Sequence, residues 1–63
     1  MKTVQEVHDV LKQAERDYRA WAQATRQRID LDKATRDAGA TDYEHRAAKC
    51  AEAAVLIEKA NIT

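Results

Sequence analysis

The chain has no proline, no phenylalanine and no serine, and only one glycine and one cysteine in 63 residues. Without proline, nothing removes an amide donor from a helix interior, so Gly39 is the single strong interrupter of a helix-compatible sequence. Without serine, the commonest hydroxyl nucleophile is missing, and Cys50 with His8 or His45 is the one nucleophile–base pairing left to consider. A lone cysteine excludes an intrachain disulfide and suits a reducing compartment. Eleven basic and eleven acidic residues cancel, so no overall field draws the chain to nucleic acid or membrane. Long apolar runs are absent, and "MKTVQEVHDV" carries no apolar stretch of the secretory kind. These absences lead to the expectation of a cytoplasmic chain of one small domain, residues 1–63.

What is present is mostly helix former. Of the apolar residues, 13 are alanine, the residue with the best helix propensity. The large apolar groups are few and spread from Met1 to Ile62, so a monomer of this size is weakly held. Val4, Leu11 and Tyr18 recur seven apart, each followed three residues later by Val7, Ala14 and Trp21, which is a heptad stripe. Thr3 and Glu6 form a T-x-x-E capping box in front of it. Thr41 and Glu44 repeat the box before a second stripe through Tyr43, Ala47, Cys50, Ala54 and Ile57.

Gly39 between the two stripes suits the residue after a helix end, where φ is positive and a side chain is penalised. The expected architecture is all-α: an antiparallel helical hairpin with helices about 4–37 and 42–60, joined at Gly39–Ala40. A competing reading ends the first helix near Arg28 and makes "IDLDKATRDAGA" a loop exposing Ile29 and Leu31. Under the main reading the first arm is about 51 Å long and the second about 28 Å. The second would then cover the first only back to Tyr18. Val4, Val7, Leu11, Ala14, Tyr18 and Trp21 become the expected interface of a homodimer, two hairpins making a four-helix assembly.

Sites for chemistry are thin. His45 and Cys50 are five residues apart, about 140° around a helix, and do not converge. Cys50 reads as a small core thiol between Ala47 and Ala54. Two histidines and one cysteine match no zinc spacing. His8, beside the apolar stripe, is expected as a half-exposed flank residue. No catalytic, cofactor-binding or metal-binding residue is expected, and the chain does not read as an enzyme. Lys12, Arg16, Arg19, Gln23 and Arg26 share one face and could track phosphates, giving a nucleic-acid-binding hairpin as the alternative. Glu15, Asp17 and Asp30 lie close by, so a solvated, salt-bridged face is the plainer reading of that ridge.

From "MKTVQEVHDVLKQAERDYRAW" to "AAVLIEKANIT" the chain resembles the small early accessory proteins of lambdoid bacteriophages. The resemblance implies early expression in the host bacterial cytoplasm and a non-enzymatic role in the choice between lysis and lysogeny. It implies a host or phage protein as partner, beside the second copy of the chain, and transfers no site residues. The expected function is therefore protein interaction, without a cofactor and without a membrane.

Overall fold

A computed structural model describes residues 3–61 of the chain; Met1 and Ile62 lie outside the described residues. Two helices pack against each other as an antiparallel hairpin. The first, α1, runs Val4–Arg26, and the Thr3 hydroxyl caps it by accepting from the Glu6 amide at 3.2 Å. Gln27 closes α1, its amide donating to the Ala24 and Thr25 carbonyls. The chain then tightens: the Arg28 amide donates to Thr25 O at 3.2 Å and the Leu31 amide to Arg28 O at 3.4 Å. The Arg28 guanidinium grips the Asp30 carboxylate through bonds of 3.1 and 2.6 Å, and these hold the Asp30 carboxyl below the usual aspartate range. The second helix, α2, spans Lys33–Asn61, and the Arg36 amide donates to Asp32 O at 3.0 Å as it begins.

The hairpin is the expected one in kind, but its turn lies at residues 27–32, not at Gly39–Ala40. Helices at 4–37 and 42–60 are corrected to Val4–Arg26 and Lys33–Asn61. The reason lies in what Gly39 does. No described glycine has positive φ; Gly39 sits inside α2, where a β-carbon would lie 3.3 Å from Thr25 Cγ2. The missing side chain serves close approach of two helices, not a helix end. Thr41 and Glu44 do not start a helix either, and Glu44 reaches across to Arg26 instead. The turn is also shorter than the competing loop. It leaves Ile29 93% exposed while half-burying Leu31, so one wet isoleucine is the cost of a well-placed α2.

Moving the turn reverses the arm lengths. By rise per residue α1 is about 34 Å long and α2 about 44 Å. α2 therefore reaches the start of α1, where His8 Nε2 meets Glu58 Oε1 at 3.1 Å. The first turns of α1 are not left without an intrachain neighbour, contrary to the expectation from a short second arm.

The buried line between the helices is made of small residues. Ala40, Ala47 and Ala54 on α2 and Ala22 on α1 are each 2% exposed or less, and among the described residues no large side chain is fully buried. On α2 the line follows alternating four and three spacing through Arg36, Ala40, Tyr43, Ala47, Cys50, Ala54 and Ile57, all buried or half-buried. On α1 it follows His8, Leu11, Glu15, Tyr18, Ala22 and Thr25 in the same way. This is heptad packing with one face of alanine, which lets the backbones approach.

Gly39→Ala sets a helix-propensity gain of about 1 kcal/mol against crowding at Thr25. Thr25→Ser removes Cγ2 and keeps the hydroxyl that donates to Trp21 O at 2.8 Å. The double variant should therefore melt above Thr25→Ser alone in thermal unfolding, and Gly39→Ala should gain less in the presence of Thr25. Destabilisation by Gly39→Ala of equal size in both backgrounds would contradict close approach as the reason for the glycine.

Candidate interaction surface

Written as heptads with Val4, Leu11, Tyr18 and Thr25 at position a, the α2-facing line of α1 occupies positions a and e. The first d and g positions of α1 are Val7, Val10, Ala14, Asp17, Trp21 and Ala24, a second line at the same alternating spacing. The two lines are centred about 110° apart around the helix. A helix with two such lines fits two helical neighbours, and the chain itself supplies one. Val10 and Trp21 are each 50% exposed and Val7 is exposed as well, so the large apolar members of the second line are left open to solvent, while Ala14 and Asp17 are half-buried.

The same side of the hairpin carries the aromatic residues. Tyr18 meets Trp21 edge-on with centroids 5.4 Å apart and stacks on Tyr43 at 6.0 Å. Trp21 lies against Tyr43 at 5.8 Å, and Arg46 Cζ stands 5.9 Å from the centroid of the Tyr18 ring. All three aromatic residues of the chain thus meet in one place, with a cation on the edge. Trp, Tyr and Arg are the side chains that most often dominate binding energy at protein interfaces.

The expected interface residues divide between the two lines. Leu11 and Tyr18 are half-buried on the α2-facing line. Val7, Ala14 and Trp21 lie on the outward line, and Val4 is exposed at the end of α1. Val10, expected from sequence to be left uncovered with Val4, Val7, Leu11 and Ala14, is 50% exposed and belongs with the outward group. Its spacing from Val7 and Ala14 is the signal that identifies it. Leu56, 67% exposed on α2, is a large side chain that the sequence stripes passed over.

The basic ridge is largely neutralised. Glu15, only 8% exposed, takes Arg19 at 2.9 Å and Lys12 at 3.5 Å. The Lys12 contact is coulombic, since Glu15 Oε1 has no hydrogen-bond partner. Arg26 donates to both Glu44 oxygens at 2.8 Å, a fork-on-fork pair across the helices. Arg16 and Gln23 stand exposed on the same face. A shallow groove lined by Arg19, Ala22, Gln23, Arg26 and Glu44 follows from this pairing.

His8 and Cys50 also have places. His8 is half-buried on the α2-facing line and bonded to Glu58, which corrects its reading as a simple flank residue. Cys50 is half-buried on the facing line of α2, and His45 is exposed. The described residues contain no cluster of three or more His, Cys, Asp or Glu able to hold a metal ion. No described helix is long and apolar enough to cross a membrane. No family model, no curated protein and no solved structure matches the chain.

The Arg26 bond holds the Glu44 carboxyl below the ordinary glutamate value of 4.5 and raises the Arg26 guanidinium further. A carboxyl depressed in the folded state adds stability above its unfolded pKa and loses it as pH falls through the folded one. Glu44→Gln should therefore lower Tm at neutral pH, and the gap from wild type should close as pH drops below 4.5. A gap of constant size from neutral to acid would show that the pair adds nothing through its charge.

Proposed function

We propose that the chain is a non-enzymatic protein-interaction module, an accessory protein of the lambdoid-phage kind acting in the host bacterial cytoplasm. It biases the choice between lysis and lysogeny by occupying a host or phage protein, and it also associates with a second copy of itself. The observation that carries this reading is the second heptad line on α1, with Val7, Val10 and Trp21 exposed and only Trp21 in ring contact with α2, through Tyr43. Apolar side chains at heptad spacing beside an aromatic and arginine cluster are what a helical partner recognises. Several of the surface charges are paired within the chain, Arg19 with Glu15, Arg26 with Glu44, Arg28 with Asp30 and Arg46 with Asp42, and exposed pairs of this kind favour solubility more than recognition.

Nucleic-acid binding is the second reading, and one observation favours it. Arg16 is exposed with no carboxylate of the described residues within ion-pair range. With Lys12, Arg19 and Arg26 already paired, such binding would release few counterions and fall only weakly with salt.

Expression of the chain in bacteria infected by a temperate phage of this kind should shift the frequency of lysogeny. Val10→Asp should abolish the shift while leaving helicity intact by circular dichroism, because Val10 lies off the α2-facing line. Trp21→Ala should abolish it too, with some loss of helicity because its ring also packs on Tyr43. Leu11→Ala, on the buried line, should lose both helicity and effect. A full shift retained by Val10→Asp together with Trp21→Ala would refute the outward line as the working surface. Strong, steeply salt-dependent RNA or DNA binding lost in Arg16→Ala would put the nucleic-acid reading first.

A further inference from the structure

The outward line of α1 has a counterpart on α2. Counting Tyr43, Cys50 and Ile57 as position a, the d and g positions of α2 include Arg46, Lys49, Ala53 and Leu56. These lie on the same broad face of the hairpin as Val7, Val10 and Trp21. The cross-helix contacts show it: Arg26 and Glu44, both at b, pair on one face, while Arg46 meets the Tyr18 ring beside Trp21 on the other. Contacts such as Trp21–Tyr43 and His8–Glu58 also fix which residues stand level along the hairpin. Val7 and Val10 stand level with Ala53 and Leu56; Asp17 stands level with Arg46 and Lys49. The face is thus apolar toward the open end and charged in the middle, with Asp17 on α1 and Lys49 on α2, beside Arg46, which Asp42 of the same helix holds at 3.2 Å.

We propose that this face is occupied by a second copy of the chain, related by a two-fold axis running parallel to the helices. The inference rests on the interaction-module reading and names the partner of that same surface. A two-fold axis of this direction keeps every residue at its own level and sets α1 antiparallel against α2 of the partner subunit. Val7 and Val10 then meet Ala53 and Leu56 of the partner subunit, and Asp17 meets Lys49 of the partner subunit. Lys49 has no ion-pair partner among the described residues of its own chain, and Asp17 is held only by the Gln13 amide at 2.9 Å. The contacts occur twice by symmetry. A two-fold axis across the helices would instead set α2 against α2 and lose the match of Asp17 with Lys49.

Sedimentation equilibrium of the full chain should show a dimer in the micromolar range. Leu56→Asp should give a monomer that keeps the helicity of the wild type, since Leu56 lies away from the alanine line. Asp17→Lys and Lys49→Asp should each raise the dimer dissociation constant by roughly tenfold, and the two together should restore it. A wild type monomeric up to roughly 0.5 mM would overturn the proposal. So would a dimer whose charge-reversed double variant stays as weak as the worse single variant. A monomer whose effect on lysogeny still depends on Val10 and Trp21 would overturn self-association while leaving the interaction-module reading standing.

Discussion

The close approach of two backbones along the alanine line governs this molecule. Ala22, Ala40, Ala47 and Ala54 are the buried core, and Gly39 lies where a β-carbon would come within 3.3 Å of Thr25. Helices this near leave no space between them for a leucine or a tryptophan. The large apolar side chains are therefore displaced to the margins, half-covered like Leu11 and Tyr18 or exposed like Val10 and Leu56. A chain with a conventional leucine core would hide its apolar groups by folding. Here folding leaves many of them presented, and the surface on which the proposed function depends follows from the composition of the seam.

An alanine repeat is also ambiguous. Ala40, Ala47 and Ala54 are seven apart, so sliding α2 by two turns would place alanine on alanine again. Side chains that are not repeated must fix the register. Arg26 and Glu44 do so near the turn, His8 and Glu58 at the open end, and Tyr18 with Tyr43 between them. Glu15 sits on the seam itself at 8% exposure, held by Lys12 and Arg19 from its own helix. A buried charge on such a line costs stability, and its retention is consistent with a role in specificity. The contacts across the helices are individually weak, yet a slipped register would break all of them at once.

The helical class, the hairpin and the Thr3 cap were legible from sequence because each has a local physical signal. The position of the turn was not, because glycine between two helical stripes has two physical meanings. It can release φ at a helix end, or it can admit a neighbouring backbone; nothing within a few residues of Gly39 separates the two. The separating signal is longer in range. Arg36, Ala40, Tyr43, Ala47, Cys50, Ala54 and Ile57 keep unbroken heptad spacing through Gly39, which a turn there would have interrupted. On α1 the spacing of Val4, Leu11 and Tyr18 fits two lines at once, with Val7 and Trp21 or with His8 and Ala22. Hydrophobicity chooses the first, while the structure puts the second against α2, because alanine packing rewards small residues over large ones. The surface was therefore glimpsed through Val7, Val10, Ala14 and Trp21, but Leu56 and the Arg46 contact needed the fold.

The register across the alanine line is the claim from which the turn, the uncovered face and the aromatic cluster all follow. Nuclear Overhauser contacts in isotope-labelled protein measure it directly. The account predicts cross-peaks from the Thr25 methyl to the Gly39 α-protons, from Trp21 to Tyr43 and from the His8 ring to residues around Glu58, with unbroken helical contacts through residues 36–44. Cross-peaks pairing Asp37 with Asp42 across a turn, or a break in helical contacts at Gly39, would contradict it.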